Sequence, residues 1–481
     1  MSENWMDQEV LQEDIPVEIP MPEQDPYDPY AYPDDSAYAP EVPQKKNRKP
    51  LIIAAAAAAV AIIAVVAILL LKSGFVGQIF GKGSDNVNST LFHSNLLAVV
   101  SGEKCGYVDK KGNFVINPQF DIAYKFDGNG MARVEVNDKY GFIDTKGAYV
   151  INPQFDWVGS FSDDGLAVVE FADKVGFIDK KGNYIINPQF DDAGTFADNG
   201  LAWVEMDGKY GFIDKKGTYV INPQFDDAGA FADNGLAWIE LDGKYGFIDK
   251  TGKYIINPQF DDAYSFDDNG LARVEVGGKW GYVDAKGAYV INPQFDEAYS
   301  FSDNGLALVC FSRKYGFIDK KGNYVINPQF DKAYTFSDNG LAIVVMDGKY
   351  GFIDEKGAYV INPQFHSATG FTDNGLAMIE LDDKYGFIDK TGAYIINPQF
   401  DAATGFNASG MARVALNDKY GFIDKKGTYV INPQFDGATT FYEDGYAMVV
   451  VGDKVGVIDT KGAYVINPQF DYDTYYLHLW Y

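Results

Sequence analysis

Leu201 to Gly235 reads LAWVEMDGKYGFIDKKGTYVINPQFDDAGAFADNG, and this stretch recurs with small changes from Leu96 to the carboxyl end of the chain. Its Asn-Pro-Gln-Phe core occurs eleven times, beginning at Asn117, Asn152, Asn187, Asn222, Asn257, Asn292, Asn327, Asn362, Asn397, Asn432 and Asn467, always 35 residues apart. A constant period without insertions puts every copy in the same relation to its neighbours, so the fold is a stack or ring of units. Within the unit, LAWVEM, YGFID and TYVINPQF are short runs rich in Val, Ile, Tyr and Phe, separated by glycine-bearing turns. That is strand and hairpin punctuation. Asp207-Gly208 supplies the positive φ angles of a two-residue hairpin, and Gly217 closes the next turn. Period-two alternation sets Ala202, Val204 and Met206 on a core face and Leu201, Trp203 and Glu205 on the other. Pro223 cannot donate to a ladder and marks a strand end or an exposed edge.

The expectation is therefore an all-β chain of tandem three-stranded repeats, residues 96 to 481, forming an open solenoid-like array. A large closed β-propeller is the alternative, disfavoured because 35 residues are few for a four-stranded blade and eleven blades are many. The last segment, Tyr475 to Tyr481 (YYLHLWY), is expected to cover the exposed end of such an array.

Residues 51 to 71, LIIAAAAAAVAIIAVVAILLL, carry no charge and no hydrogen-bonding side chain. At about 1.5 Å per residue they span a hydrocarbon core of about 30 Å as one transmembrane helix. Lys45, Lys46, Arg48 and Lys49 precede it, whereas Lys72 and Lys82 follow. The positive flank keeps the amino terminus in the cytoplasm and puts the repeats outside, as in a single-pass protein of the cell membrane. Residues 1 to 44 hold twelve acidic residues and no Lys or Arg, a composition that reads as a disordered Pro- and Tyr-rich tail, with the basic flank extending to residue 50. Residues 72 to 95 read as a flexible stalk.

The net charge of −28, from 40 basic and 68 acidic residues, excludes nucleic acid as a partner. Cys105 and Cys310 stand at different repeat positions and make no disulfide framework. The three histidines, His93, His366 and His478, share no ligand spacing, so no zinc site is expected. Carboxylate pairs such as Asp191-Asp192, Asp226-Asp227 and Asp261-Asp262 are of the type hydrolases use, yet they recur in polar turns, where a catalytic pair would be singular. Asp-Asn-Gly at 198, 233, 268, 303, 338 and 373 offers oxygen atoms of the kind calcium takes, but lacks the full ligand ladder and has the chemistry of a tight turn. No cofactor is expected, with calcium the one ion to test.

Positions at which the copies disagree are where binding would be written. One series, the third residue of the first strand, runs Ala98, Arg133, Val168, Trp203, Trp238, Arg273, Leu308, Ile343, Met378, Arg413 and Met448. A second runs Tyr124, Gly159, Gly194, Gly229, Tyr264, Tyr299, Tyr334, then threonines. Trp203, Trp238, Arg273, Tyr264, Tyr299 and Tyr334 are the candidate binding residues, because rows of aromatic rings beside Asp and Asn suit protein or cell-envelope glycan. The opposing reading packs the same rings between units. A non-enzymatic surface binding module is the expected function, with a structural spacer and a carboxylate-dependent hydrolase as alternatives.

Lys279 to Asp284 reads KWGYVD, and Lys139 to Asp144 and Lys244 to Asp249 read KYGFID. With the following Lys-Gly and the Gly-Leu-Ala segment, the chain resembles the WG-repeat family of bacterial proteins over residues 91 to 481. The tryptophan of that motif survives only at Trp280, with Tyr in seven copies, Val175, Val455 and Cys105 in the others. The resemblance implies a repeat-built β protein, often envelope associated, and brings no catalytic residue.

Overall fold

A computed structural model describes residues 90–472, and among these there is no helix. The tail, the apolar stretch of residues 51 to 71 and the YYLHLWY segment lie outside the described residues. No helix among the described residues is long and apolar enough to cross a membrane.

Each 35-residue unit folds into one antiparallel meander, giving eleven sheets. In blade 4 the order is a lead strand Asp192–Ala193, a first long strand Leu201–Met206, a second Lys209–Asp214 and a third Tyr219–Phe225. The three-stranded expectation is thus corrected. The lead strand comes from the segment read as a loop, and it escaped notice because two residues carry no periodicity. Blade 1 shows three strands among the described residues.

The turn chemistry explains the meander. Asp207 (φ 52°) and Gly208 (φ 72°) make the two-residue hairpin, in which both central residues must be left-handed. At the second turn the Asp214 carboxylate accepts the amides of Lys216 and Thr218, each at 2.9 Å. The glycine of the Tyr-Gly motif has another reason. A Cβ on Gly211 would stand 2.6 Å from the Ile221 carbonyl oxygen and 2.6 Å from Pro223 N, because the third strand crosses directly over it at a register shift. Pro223 lies inside the third strand, which is an edge of its sheet, so its missing N–H interrupts no ladder.

Both faces of each sheet are buried, so the sequence-based division into a core face and a free face is corrected as well. Ala202, Val204 and Ile213 pack on Phe177, Ile186 and Phe190 of the preceding blade. Leu201 and Phe212, with Phe225 and Phe231, pack on Ala237, Ile239 and Ile248 of the following one. Phe225 is 1% exposed, and full burial of such a side chain is worth roughly 1.5–3 kcal/mol. No blade could cover these surfaces by itself.

Neighbouring blades are also clipped together by a recurrent carboxylate. Asp226, the one residue between blades 4 and 5, takes the Lys209 ammonium of blade 4 and the Asp242 amide of blade 5 at 2.7 Å. The same clip closes the ends of the chain on each other: Asp471 of blade 11 takes Lys454 and the Gly102 amide of blade 1, the latter at 2.6 Å. Leu91, Phe92, Leu97 and Val99 share one apolar cluster with Val455, Val457, Ile466 and Phe470. The Asp444 carboxylate accepts the amides of Leu91 and Phe92 at 3.2 and 3.1 Å. The array is therefore a closed eleven-bladed propeller and the open solenoid is overturned. Thirty-five residues suffice because the lead strand is minimal and a single residue joins the blades. Closure also removes the exposed end that the final segment was expected to cover, and it takes Leu91 and Phe92 out of the expected stalk and into the ring.

Candidate functional site

The two variable series turn out to be partners. The Gly194 amide donates to the Trp203 carbonyl at 3.0 Å, and the Gly229 amide to the Trp238 carbonyl at 3.1 Å, so the series face each other across the ladder between lead and first strands. Their side chains are complementary in volume. Trp203 lies flat on Gly194, where an added Cβ would be 2.3 Å from the indole nitrogen, and Trp238 lies on Gly229 in the same way. The Arg273 guanidinium sits 4.0 Å from the centroid of Tyr264, and Arg133 sits 3.7 Å from that of Tyr124. Where Gly159 faces the small Val168, the ring of Trp157 fills the space. Packing inside each blade thus constrains both series, whereas the opposing reading of the sequence put that packing between units.

Of the six candidate residues, Trp203, Trp238, Arg273, Tyr264 and Tyr299 are half-buried, and they occupy consecutive blades 4 to 7. Tyr334 is 7% exposed and belongs to the apolar cluster between blades 8 and 9, so it is removed from any exposed row. Trp203 and Trp238 stack at a tilt on Tyr210 and Tyr245, with centroids 5.5 and 5.6 Å apart, and Tyr264 does the same with Trp280 at 5.5 Å.

Sequence reading missed what surrounds these rings. Asp192 stands directly opposite Glu205, Asp227 opposite Glu240 and Asp262 opposite Glu275. Like charges at such positions oppose folding. The same ladder position holds Ala402 opposite Ala415 in blade 10 and Gly437 opposite Val450 in blade 11, so the architecture does not need them. Burial, reinforced by Glu205, holds the Asp192 carboxyl above the ordinary range, and burial with Glu240 and Glu205 does so for Asp227. Burial, then Glu240, Asp262 and Asp227, pushes the Tyr245 hydroxyl up to about 12. That Glu205 acts on Asp227, and Asp262 on Tyr245, shows the acidic positions running on from blade to blade. The signal was present as alternation, since Trp203 and Glu205 fall on one face, but the lead strand carrying Asp192 was unrecognised.

The adjacent carboxylates read from sequence as pairs divide their roles. Asp191 is a clip, bound to Lys174 at 2.6 Å and to the Asp207 amide at 2.7 Å, whereas Asp192 belongs to the acidic ladder. The Asp-Asn-Gly loops spend their oxygens on turns: Asn199 and Asn234 accept the Leu201 and Leu236 amides, each at 3.0 Å. Among the described residues no group of three or more His, Cys, Asp or Glu is placed to hold a metal ion. The Cys310 thiol is buried, and burial followed by Glu297 and Asp296 pushes it up to about 11, so it stays protonated.

The WG containing repeat matches in eleven tandem copies from residue 106 to residue 472. No curated protein matches the chain. Among solved structures, the chain is similar to a eukaryotic initiation factor, at 12% identity and a TM-score of 0.37, over 76% of this chain and 94% of that one. It is similar to the dihydro-heme d1 dehydrogenase NirN at 15% identity and a TM-score of 0.28, over 56% and 73% of the two chains. PorZ, a surface component of the type-IX secretion system of Porphyromonas gingivalis, is similar at 10% identity and a TM-score of 0.22, over 80% and 69%. With the family's repeat running through nearly every blade, the chain belongs to the WG-repeat family.

Proposed function

We propose that this protein is a non-enzymatic binding platform, held at the cell membrane by residues 51 to 71 with its repeats outside. Its ligand is a protein segment bearing Lys or Arg side chains, bound along blades 4 to 6. The observation that carries this reading is the confinement of three consecutive Asp–Glu cross-strand pairs to these blades, beside the half-buried Trp203, Trp238 and Tyr264. Such pairs work against folding, and a bound cation relieves their repulsion while aromatic faces hold its alkyl stem and charge. Regular blades 10 and 11 do without them.

The test is a titration of the intact protein with an oligolysine peptide and, separately, with neutral envelope glycan oligosaccharides, followed by tryptophan fluorescence. Saturable, salt-sensitive binding of the peptide that is lost in the Asp192→Asn, Asp227→Asn double variant supports the reading. Binding of glycan alone returns the site to the polysaccharide alternative. No binding by either, with a well-folded ring, leaves a spacer.

A further inference from the structure

One exposed surface is the same in all eleven blades. The third strand of each reads Tyr-Val-Ile-Asn-Pro-Gln-Phe, with Ile for Val in three blades and Phe for Tyr in blade 1. This strand is an edge of its sheet. Its first aromatic is 36% to 45% exposed throughout, and the ring makes a T-shaped contact with the final Phe of the preceding blade's third strand. Tyr219 meets Phe190 with centroids 6.1 Å apart, Tyr254 meets Phe225 at 6.3 Å, and across the closing joint Phe114 meets Phe470 at 5.7 Å. The edge strands thereby join into one unbroken band around the ring. Packing accounts for the aromatic and for the buried Ile221 and Phe225, but not for the exposed Asn222 and Gln224. Among the described residues no hydrogen bond holds the Asn222 side chain or any of its ten counterparts, and Gln224 reaches only the Asn222 carbonyl, at 3.3 Å. Yet both carboxamides are present in every blade, whereas the equally exposed residue before the aromatic is Asn, Ala, Thr or Lys.

We infer that this band is a second binding site, separate from the one on blades 4 to 6, and that its ligand is an uncharged polysaccharide laid along several blades. From the aromatic to the final Phe no blade carries a charge, in a chain of net charge −28, so neither a cationic nor an anionic polymer finds its complement there. A carboxamide both donates and accepts, as a sugar hydroxyl does, while the Tyr ring and the branched Val or Ile cover the apolar face of a pyranose. Each such site is small. A ligand that itself repeats engages many of them, and every contact after the first forms at a high effective concentration. A second copy of the chain fits the band less well. Pro223 and its counterparts lack the amide that edge-to-edge strand pairing uses, and equal contacts all around a ring define no closed pair of rings. The band contains no tryptophan, so its occupation is separate from what the tryptophan fluorescence of blades 4 to 6 follows.

Retention of the full-length protein on columns of immobilised neutral β-glucan and galactomannan, with hyaluronate as the charged control, tests this. The protein should be held by at least one neutral polymer and not by hyaluronate, equally at low and high salt. The free polymer should release it at a sugar-unit concentration at least about a hundredfold below that needed of the monosaccharide. Gln154→Ala, Gln224→Ala, Gln294→Ala, Gln364→Ala and Gln434→Ala together remove one carboxamide from alternate blades, and should weaken retention at least about tenfold at an unchanged melting temperature. Val150→Thr, Val220→Thr, Val290→Thr, Val360→Thr and Val430→Thr together keep the branched shape and remove apolar surface; they should act alike, which keeps the test open if the first set folds poorly. The Asp192→Asn, Asp227→Asn variant should be retained as the parent is. Passage of the parent through both neutral columns, retention that survives both sets, or retention lost in the aspartate variant overturns the inference. So does concentration-dependent association of rings in sedimentation velocity that both sets abolish, which gives the band to a second copy.

Discussion

Exchanging one cross-strand pair for another asks whether the variable positions are bound by packing inside each blade. In blade 4 a Cβ at residue 194 would stand 2.3 Å from Trp203 Nε1 and 2.6 Å from Cε2, so Gly194→Tyr has to expel the indole from its bed. Loss of that contact and the strain of overpacking cost about 2 kcal/mol, below the full value for a core tryptophan because Trp203 is half-buried. Trp203→Arg leaves the guanidinium over a bare glycine, again at about 2 kcal/mol. The double variant rebuilds the blade 6 arrangement, in which Arg273 lies 4.0 Å from the Tyr264 centroid and donates to the Ala298 carbonyl at 3.0 Å. Ala228 offers the equivalent carbonyl to blade 4. The double variant should therefore cost at most about 1 kcal/mol, leaving a coupling of about 3 kcal/mol, at the top of the range for residues in contact. Urea unfolding followed by far-ultraviolet circular dichroism measures this without relying on the tryptophan being removed. Costs that simply add, with a coupling below about 0.5 kcal/mol, would refute the complementarity.

Three further outcomes follow from the same geometry. Asp192→Asn keeps the oxygen that accepts the Ala193 amide at 2.7 Å while ending the repulsion with Glu205, so it should stabilise the ring at pH 7 by about 0.5 kcal/mol. Because the folded Asp192 carboxyl sits above its unfolded value, the parent recovers this loss in acid, and the difference between variant and parent should shrink as pH falls through the carboxylate range in paired melting curves. The clip carboxylates behave oppositely. The Lys209 ammonium and then the Asp242 amide hold Asp226 below its ordinary value, so its contribution is present above the unfolded value and is lost as pH falls through the depressed one; Asp226→Asn should flatten the acid limb of the stability curve. Finally, Gly211→Ala drives a methyl to 2.6 Å from the backbone of the crossing strand and should cost about 3 kcal/mol or prevent folding of its blade, whereas Gly208→Ala, with open space around it, should cost only about 1 kcal/mol for its positive φ; both are read from thermal melts.

Much of the fold was legible because identical spacing forces identical contacts. The strands around Trp203, Phe212 and Ile221 and the hairpins at Asp207-Gly208 and Gly217 were readable from alternation and turn chemistry. Whether the units form a line or a circle depends on the rotation between neighbours, which no local pattern encodes. The lead strand at Asp192–Ala193 was hidden by its brevity, and with it the facing of Gly194 and Trp203. Reading the two variable series as independent rows followed from that omission. Tyr334 shows the limit most plainly, since its hydroxyl and ring look identical in sequence to those of Tyr264, yet packing with Ile343 and the blade 9 core buries it. The acidic ladder required knowing which residue lies opposite which, and that is a property of pairing.

The clip from Lys454 through Asp471 to Gly102 repeats, across a gap in the covalent chain, the bonds that other blades make along it. A circle closed at its termini by the same aspartate hook that fastens its internal joints, with His366 the one exception, has no privileged point of entry. Circular permutants that join the neighbourhood of residue 472 to that of residue 90 and open the polypeptide at any other one-residue link should therefore fold to the same object, without a single blade redesigned.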